Sequence, residues 1–141
     1  MKNIYLASPL FNEVEIKNIE KTEHLLRELG HYVFSPREHE VREENVGSLP
    51  WSLDTFTNDI RAIDACDMMV ALYYGNYSDS GTAWEVGYAF ASHKPVLIVH
   101  LGEDSNLMIH EGCHCNLYSI EELRDYDYKG LTRGRYTGKM F

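Results

Sequence analysis

Two acidic residues flank a short glycine-containing turn: Asp79 and Glu85 bracket the sequence DSGTAWE. Gly81 between them permits a tight turn or the close approach of a ligand. A helical pattern follows from Thr82, so both carboxylates are expected near one pocket. A carboxylate aimed at an anomeric carbon can displace the group bonded there and form a covalent glycosyl intermediate, while a second acid protonates the leaving group or hydrogen-bonds the sugar hydroxyls. The same spacing also fits a structural device. Thr82-x-x-Glu85 matches a capping box, in which Glu85 satisfies backbone N–H groups at a helix start and Asp79 is an ordinary loop acid. On spacing alone both readings stand.

A second group of reactive side chains, His110, Cys113, His114 and Cys115, lies within six residues. Zinc sites usually draw their ligands from two separated pairs, and Cys-x-Cys is a poor tetrahedral chelate without further ligands, so no metal is expected. Trp51, Trp84 and the ten tyrosines read mainly as packing residues. Trp84, beside Glu85, is also placed to line a pocket. Phe11 divides between stacking on a ligand and closing the core.

These residues need a frame, and the hydrophobic pattern supplies one. Asn3–Ala7 is a short apolar run closed by Ser-Pro and reads as a buried strand. Asn12 is placed as an N-cap for a helix over Glu13–Leu29, with Ile16, Ile19, Leu25, Leu26 and Leu29 at helical spacing and Gly30 at the left-handed end. His31–Phe34 is a second strand, and Ser35–Pro50 is a polar loop expected to face the active site. Trp51–Ala65 has helical periodicity. Asp67–Tyr73 is a nearly continuous apolar run suited to a central parallel strand. A helix over Thr82–His93, a strand over Pro95–His100 and a short helix over Ser119–Leu123 complete the reading. Strand and helix alternate, which predicts an α/β, flavodoxin-like, doubly wound parallel sheet in a single domain spanning residues 1–141. Ligands in such folds sit at the carboxyl ends of the strands. Here those are the loops at Ala7–Asn12, from Ser35, Tyr74–Glu85 and His100–Leu107.

Bulk properties narrow the partners. The 141 residues, 44% apolar, fit one compact domain. A net charge of −9 offers no basic stripe for polymeric nucleic acid, so a small molecule is the expected ligand. It also favours an uncharged substrate over an anionic one. The opening MKNIYLASPLF is too short, and too polar beyond Phe11, for a signal peptide, and no run approaches a membrane span. Three cysteines form no plausible disulfide framework, which suggests a reducing, cytoplasmic setting. The tail ending TGKMF reads as a frayed terminus, the alternative being that Phe141 caps a site.

The segment Asp79–Ala89, DSGTAWEVGYA, resembles the nucleophile motif of the nucleoside 2-deoxyribosyltransferase family. The opening IYLASPLF is similar to that family's first strand and loop, FSPRE at Phe34–Glu38 to its second strand end, and NDI at Asn58–Ile60 to the segment bearing a second active-site aspartate. Asn106-Leu107-Met108 resembles a short motif that reaches into a neighbouring subunit's site. The likeness runs in order from about residue 3 to 108.

That resemblance implies a double displacement without a cofactor. Glu85 attacks C1′ of a 2′-deoxyribonucleoside, a base leaves, and a second base attacks the deoxyribosyl-enzyme from the same face. Tyr5 orients Glu85. Asp59 handles the proton on the base and Asp79 contacts sugar hydroxyls or base, two roles that are exchangeable at this stage. Ser8, Phe11, Gly81 and Trp84 are the further substrate-binding candidates. Asn106 and Met108 complete a neighbour's site, which makes the protein at least a dimer. Asn106 also fits a plain turn or helix cap, and Tyr5 a plain core tyrosine. Two other functions remain open: a sister group sharing the fold hydrolyses 2′-deoxynucleoside 5′-monophosphates, with Ser8, the first helix start and Arg37 as the available anion ligands; the other is a non-catalytic nucleotide-binding domain.

Overall fold

The computed structural model describes residues 1–41, 45–75 and 80–140. Its centre is a five-stranded parallel sheet of β1 (Asn3–Ala7), β2 (Tyr32–Phe34), β3 (Met68–Tyr73), β4 (Val96–His100) and β5 (Cys115–Leu117), in the order β2-β1-β3-β4-β5. That order is the flavodoxin-like arrangement, and its switch point lies between β1 and β3. The helices are α1 (Glu13–Glu28), α2 (Leu49–Ala65), α3 (Ser80–Ala91), α4 (Leu107–Glu111) and α5 (Glu122–Asp125).

Side-chain alternation along the strands builds two cores. Met68, Val70 and Leu72 of β3 join Ile4, Leu6, Leu97 and Val99 under α1 and α5. Met69, Ala71 and Tyr73 join Tyr5, Ala7, Val96 and Ile98 under α2, α3 and α4. All six residues of β3 are buried, as a strand covered on both faces requires. Each fully buried aliphatic side chain, such as Leu26 or Ile63, contributes about 1.5–3 kcal/mol by leaving water. Among the described residues no helix is long and apolar enough to cross a membrane.

Local chemistry sets the boundaries. The Asn12 side chain accepts from the Glu15 N–H at 2.9 Å, and Gly30 follows the helix with φ +92°, where only glycine is unstrained. α2 starts two residues before the expected Trp51 because Ser48 caps it, accepting from the Trp51 N–H. Pro50 is tolerated in that first turn, where its missing N–H has no helical partner to lose. α3 begins at Ser80 and ends at Ala91, earlier than the expected Thr82–His93.

The sheet has a fifth strand beyond the four read from sequence. β5 and the helix α4 before it lie in the His- and Cys-rich segment. They are short and carry polar side chains that find partners only in the folded chain. The amide of Asn116 donates to the carbonyls of His110 (3.1 Å) and Gly134 (3.0 Å), and its Oδ1 lies 2.7 Å from His100 Nε2. His114 Nε2 lies 2.6 Å from the Leu131 carbonyl, and the Cys113 thiol donates to the His110 carbonyl. The last helix also falls later than expected, at Glu122–Asp125 rather than Ser119–Leu123. The tail is packed rather than frayed as far as it is described: Tyr136 stacks on His110 at 4.2 Å and tilts against His100 at 4.7 Å. Phe141 lies outside the described residues.

Candidate active site

Glu85 sits one turn and a half into α3, on the face turned toward the end of β1. The Tyr5 hydroxyl donates to its Oε2. The capping-box alternative does not form. With the helix starting at Ser80, Thr82 lies inside the first turn, and its buried Oγ1 has no hydrogen-bond partner among the described residues.

Tyr5 is fully buried on β1. Its ring stacks on Phe34 at 5.6 Å, across the β1–β2 pairing, and Phe34 stacks in turn on His39 at 4.3 Å. Burial, and then the negative charges of Glu85 and Asp59, push the Tyr5 hydroxyl far above its ordinary range. It therefore remains a neutral donor at any working pH, which is the state needed to hold a carboxylate acceptor.

Asp59 projects from α2 into the same space. Burial pushes its carboxyl up to about 6, since a partly desolvated carboxylate loses hydration without gaining a cation. The two acids share a cavity of about 240 Å³ lined by Ser8, Leu10, Pro36, Phe56, Asp59, Ile60, Gly81, Trp84 and Glu85. Helical spacing puts these residues on facing surfaces: Phe56, Asp59 and Ile60 on α2, and Gly81, Trp84 and Glu85 on α3. Phe56 meets Trp84 edge-on at 5.5 Å, and Trp84 stacks on Tyr88 at 5.5 Å. The walls are thus aromatic and aliphatic, and two carboxylates stand at the base.

Of the candidates read from sequence, Ser8, Asp59, Gly81, Trp84 and Glu85 line this cavity and Tyr5 lies beneath it. Phe11 is 76% exposed and does not close the core; its N–H donates to Glu15. Asp79 lies outside the described residues. Asn106 and Met108 are on the far side of α3, in a second groove of about 540 Å³ with Phe90 and Leu107. There Asn106 caps α4, its Oδ1 accepting from the Met108 N–H at 2.9 Å. Leu10, Pro36, Phe56 and Ile60 were not singled out in the sequence. The i, i+3, i+4 relation of Phe56 and Ile60 to Asp59 and Phe56 is the signal that would have found two of them. The expected active-site-facing loop enters the wall through Pro36, in the 3-10 turn Pro36–Glu38.

The described lining residues include no lysine or arginine. Arg37, the nearest basic candidate in sequence, is turned away and forms a two-pronged ion pair with the buried carboxylate of Glu23, its Nε at 3.0 Å. Ser8 donates its hydroxyl to the Pro9 carbonyl.

Comparison with known proteins agrees with this architecture. Residues 4–117 match the family model for nucleoside 2-deoxyribosyltransferases. A nucleoside deoxyribosyltransferase of Limosilactobacillus fermentum is 30% identical over 126 residues, covering 77% of this chain and 74% of that protein. Among solved structures, a 2-deoxyribosyltransferase from the psychrotolerant bacterium Bacillus psychrosaccharolyticus is 40% identical with a TM-score of 0.90, covering 96% of this chain and 99% of that one. A CMP N-glycosidase of Clostridium botulinum is 25% identical with a TM-score of 0.64, covering 89% and 100%.

Proposed function

The chain belongs to the nucleoside 2-deoxyribosyltransferase family, and we propose that it moves 2-deoxyribose between nucleobases by a double displacement on Glu85. Glu85 attacks C1′ of a 2′-deoxyribonucleoside, the C1′–N bond breaks, and the electron pair leaves with the base. The base takes a proton from Asp59. A second base then attacks C1′ of the glutamyl ester, returning the carboxylate of Glu85 and its own proton to Asp59. Two inversions at one carbon retain the β configuration.

The observation that carries this reading is the pairing of two differently tuned acids in one small cavity. Glu85 is fixed by a neutral tyrosine, and Asp59 titrates at about 6. An acid near the working pH can both give and take a proton, as a reversible transfer demands. Phe56 and Trp84 offer ring surfaces to a base. Asp79, by the family likeness, contacts the sugar hydroxyls or the base.

A 5′-monophosphate hydrolase is the competing reading, and the C. botulinum relative is by name an N-glycosidase of a nucleotide. The cavity argues for the uncharged nucleoside, since its described lining holds two acids and no cation and Arg37 is bound to Glu23. A pocket of one sign disfavours a substrate of the same sign.

The site is completed, in this reading, by Asn106 and Met108 of a second copy. The exposed apolar side chains of Phe90, Leu107 and Met108 around the second groove support such an interface. The three cysteines are free thiols, in keeping with the cytoplasm. The decisive experiment incubates the protein with deoxyinosine, with and without adenine, and follows hypoxanthine and deoxyadenosine by chromatography. Deoxyadenosine that needs adenine and disappears in Glu85→Ala is expected. Hypoxanthine release independent of adenine would instead establish hydrolysis.

A further inference from the structure

The first strand leads from the cavity straight into a helix start, since Ser8 and Leu10 line the wall and α1 begins at Glu13. In parallel α/β sheets this helix N-terminus is where a phosphate is ordinarily held, by backbone N–H groups and the positive end of the helix dipole. Here one N–H at that start, that of Phe11, is already bonded by an acid of the helix itself. Glu15 is only 6% exposed, on the same stripe of α1 as the buried Ile19, Thr22 and Leu26. Its Oε1 accepts from the Phe11 N–H at 2.8 Å, while its own N–H is taken by the Asn12 side chain at 2.9 Å. The carboxylate thus turns back over the helix start, binds a loop N–H and faces the dipole end, as a bound anion would. Glu13 adds a second acid to the same turn.

We infer that Glu15 is a specificity-determining residue, an internal anion that occupies the phosphate position beside the cavity and confines the enzyme to nucleosides lacking a 5′-phosphate. The inference rests on the glycosyl-transfer reading of the Glu85 pocket and adds to it the feature that rejects nucleotides. A phosphomonoester carries close to two negative charges at neutral pH. Entering along the Ser8–Leu10 wall it approaches a helix start whose Phe11 N–H is already bonded to Glu15 and whose first turn is negative, with Arg37 held by Glu23 and unable to offset the charge. Discrimination by a repulsive element is a common route to specificity.

The test compares wild type, Glu15→Gln and Glu15→Asp on deoxyinosine and on its 5′-monophosphate, with adenine as acceptor and hypoxanthine release as the readout. Glutamine keeps an oxygen for the Phe11 N–H but removes the charge; aspartate keeps the charge. The wild type is expected to use the monophosphate at least about tenfold less well in kcat/KM, the scale of a like-charge contact. Glu15→Gln is expected to raise the ratio of monophosphate to nucleoside turnover by about tenfold or more, chiefly through KM for the monophosphate. Glu15→Asp should bring the ratio back toward wild type. A residue that only caps α1 would lower both activities together and leave the ratio unmoved, and that result overturns the inference. So does a wild type that takes both substrates equally, a comparison that needs no variant to fold. Failure of the underlying reading looks different, because the wild type would then release base from neither compound.

Discussion

The hydroxyl of Tyr5 and the carboxylate of Glu85, 80 positions apart in the chain, are joined by a direct hydrogen bond between the first strand and the third helix. The fully buried ring is stacked on Phe34 and packed under α2 and α3, so its hydroxyl presents a fixed donor to the Glu85 carboxylate. Tyr5→Phe keeps the ring and removes the donor. In the double-displacement reading kcat should fall by about 10- to 100-fold, the usual cost of a slightly misplaced nucleophile, with KM changing much less. A tyrosine that only fills the core would instead lower the melting temperature and leave kcat near wild type.

Asp59 predicts the shape of the pH profile. Its carboxyl titrates at about 6 because burial disfavours the charged form. If its protonated form donates to the departing base, kcat/KM for deoxyinosine should be level below pH 6 and decline as pH rises through that value. Asp59→Asn should remove this limb and lower the rate by about 10²- to 10⁴-fold, the range for loss of a general acid. A limb that survives in Asp59→Asn assigns the titration to another group.

The same shift has a consequence for stability, with a definite sign. The folded carboxyl binds its proton more tightly than the unfolded one, whose ordinary value is 3.8. Stability from this group is therefore fully present below 3.8 and is lost as pH rises through about 6. Asp59→Asn should melt higher than wild type at pH 7.5, and the difference should shrink toward pH 4. Equal melting temperatures at pH 7.5 would mean that the carboxylate is well solvated after all.

Asn12 and Gly30 announce both ends of α1, and the apolar run at β3 announces a strand covered on both faces, because caps and periodicity are local. The role of Glu85 is not local. Thr82-x-x-Glu85 reads equally well as a cap, and what excludes that reading is a helix starting two residues early and a tyrosine on a distant strand. β5 escaped because its central residue, Asn116, is polar and becomes buried only through partners on β4, α4 and the tail. Leu10 and Pro36 belong to the cavity through the path of two loops, which no spacing rule encodes.

Packing between two loops yields a further expectation. The turn after β4 lies against the turn after β3 so closely that a Cβ on Gly102 would stand 2.2 Å from the Tyr74 carbonyl oxygen. Gly75, at φ +90°, faces the Asp104 backbone in the same crossing. Gly102→Ala must push the two turns apart, at a cost of about 1–3 kcal/mol for an overpacked contact. Urea unfolding should show a lower midpoint with an unchanged slope. A midpoint equal to wild type would show that the crossing is loose.

The two grooves on either side of α3 make the most specific expectation about assembly. Glu85 faces the first and Asn106 the second, so one chain cannot bring both to a single substrate. If Asn106 serves the site of a second copy, two inactive variants should repair each other. Glu85→Ala supplies a sound Asn106 and no nucleophile. Asn106→Asp supplies a sound Glu85 and keeps an oxygen to cap α4, the contact now made to the Met108 N–H, so the helix start survives while the amide donor is lost. After mixing, mild dissociation and reassociation, a two-fold dimer places one intact site in each mixed pair, and random pairing gives about a quarter of the wild-type signal. The base-exchange assay with deoxyinosine and adenine measures it directly. Activity that stays at the level of the separate variants, with subunit exchange confirmed by mass spectrometry of tagged chains, would confine Asn106 to capping its own helix.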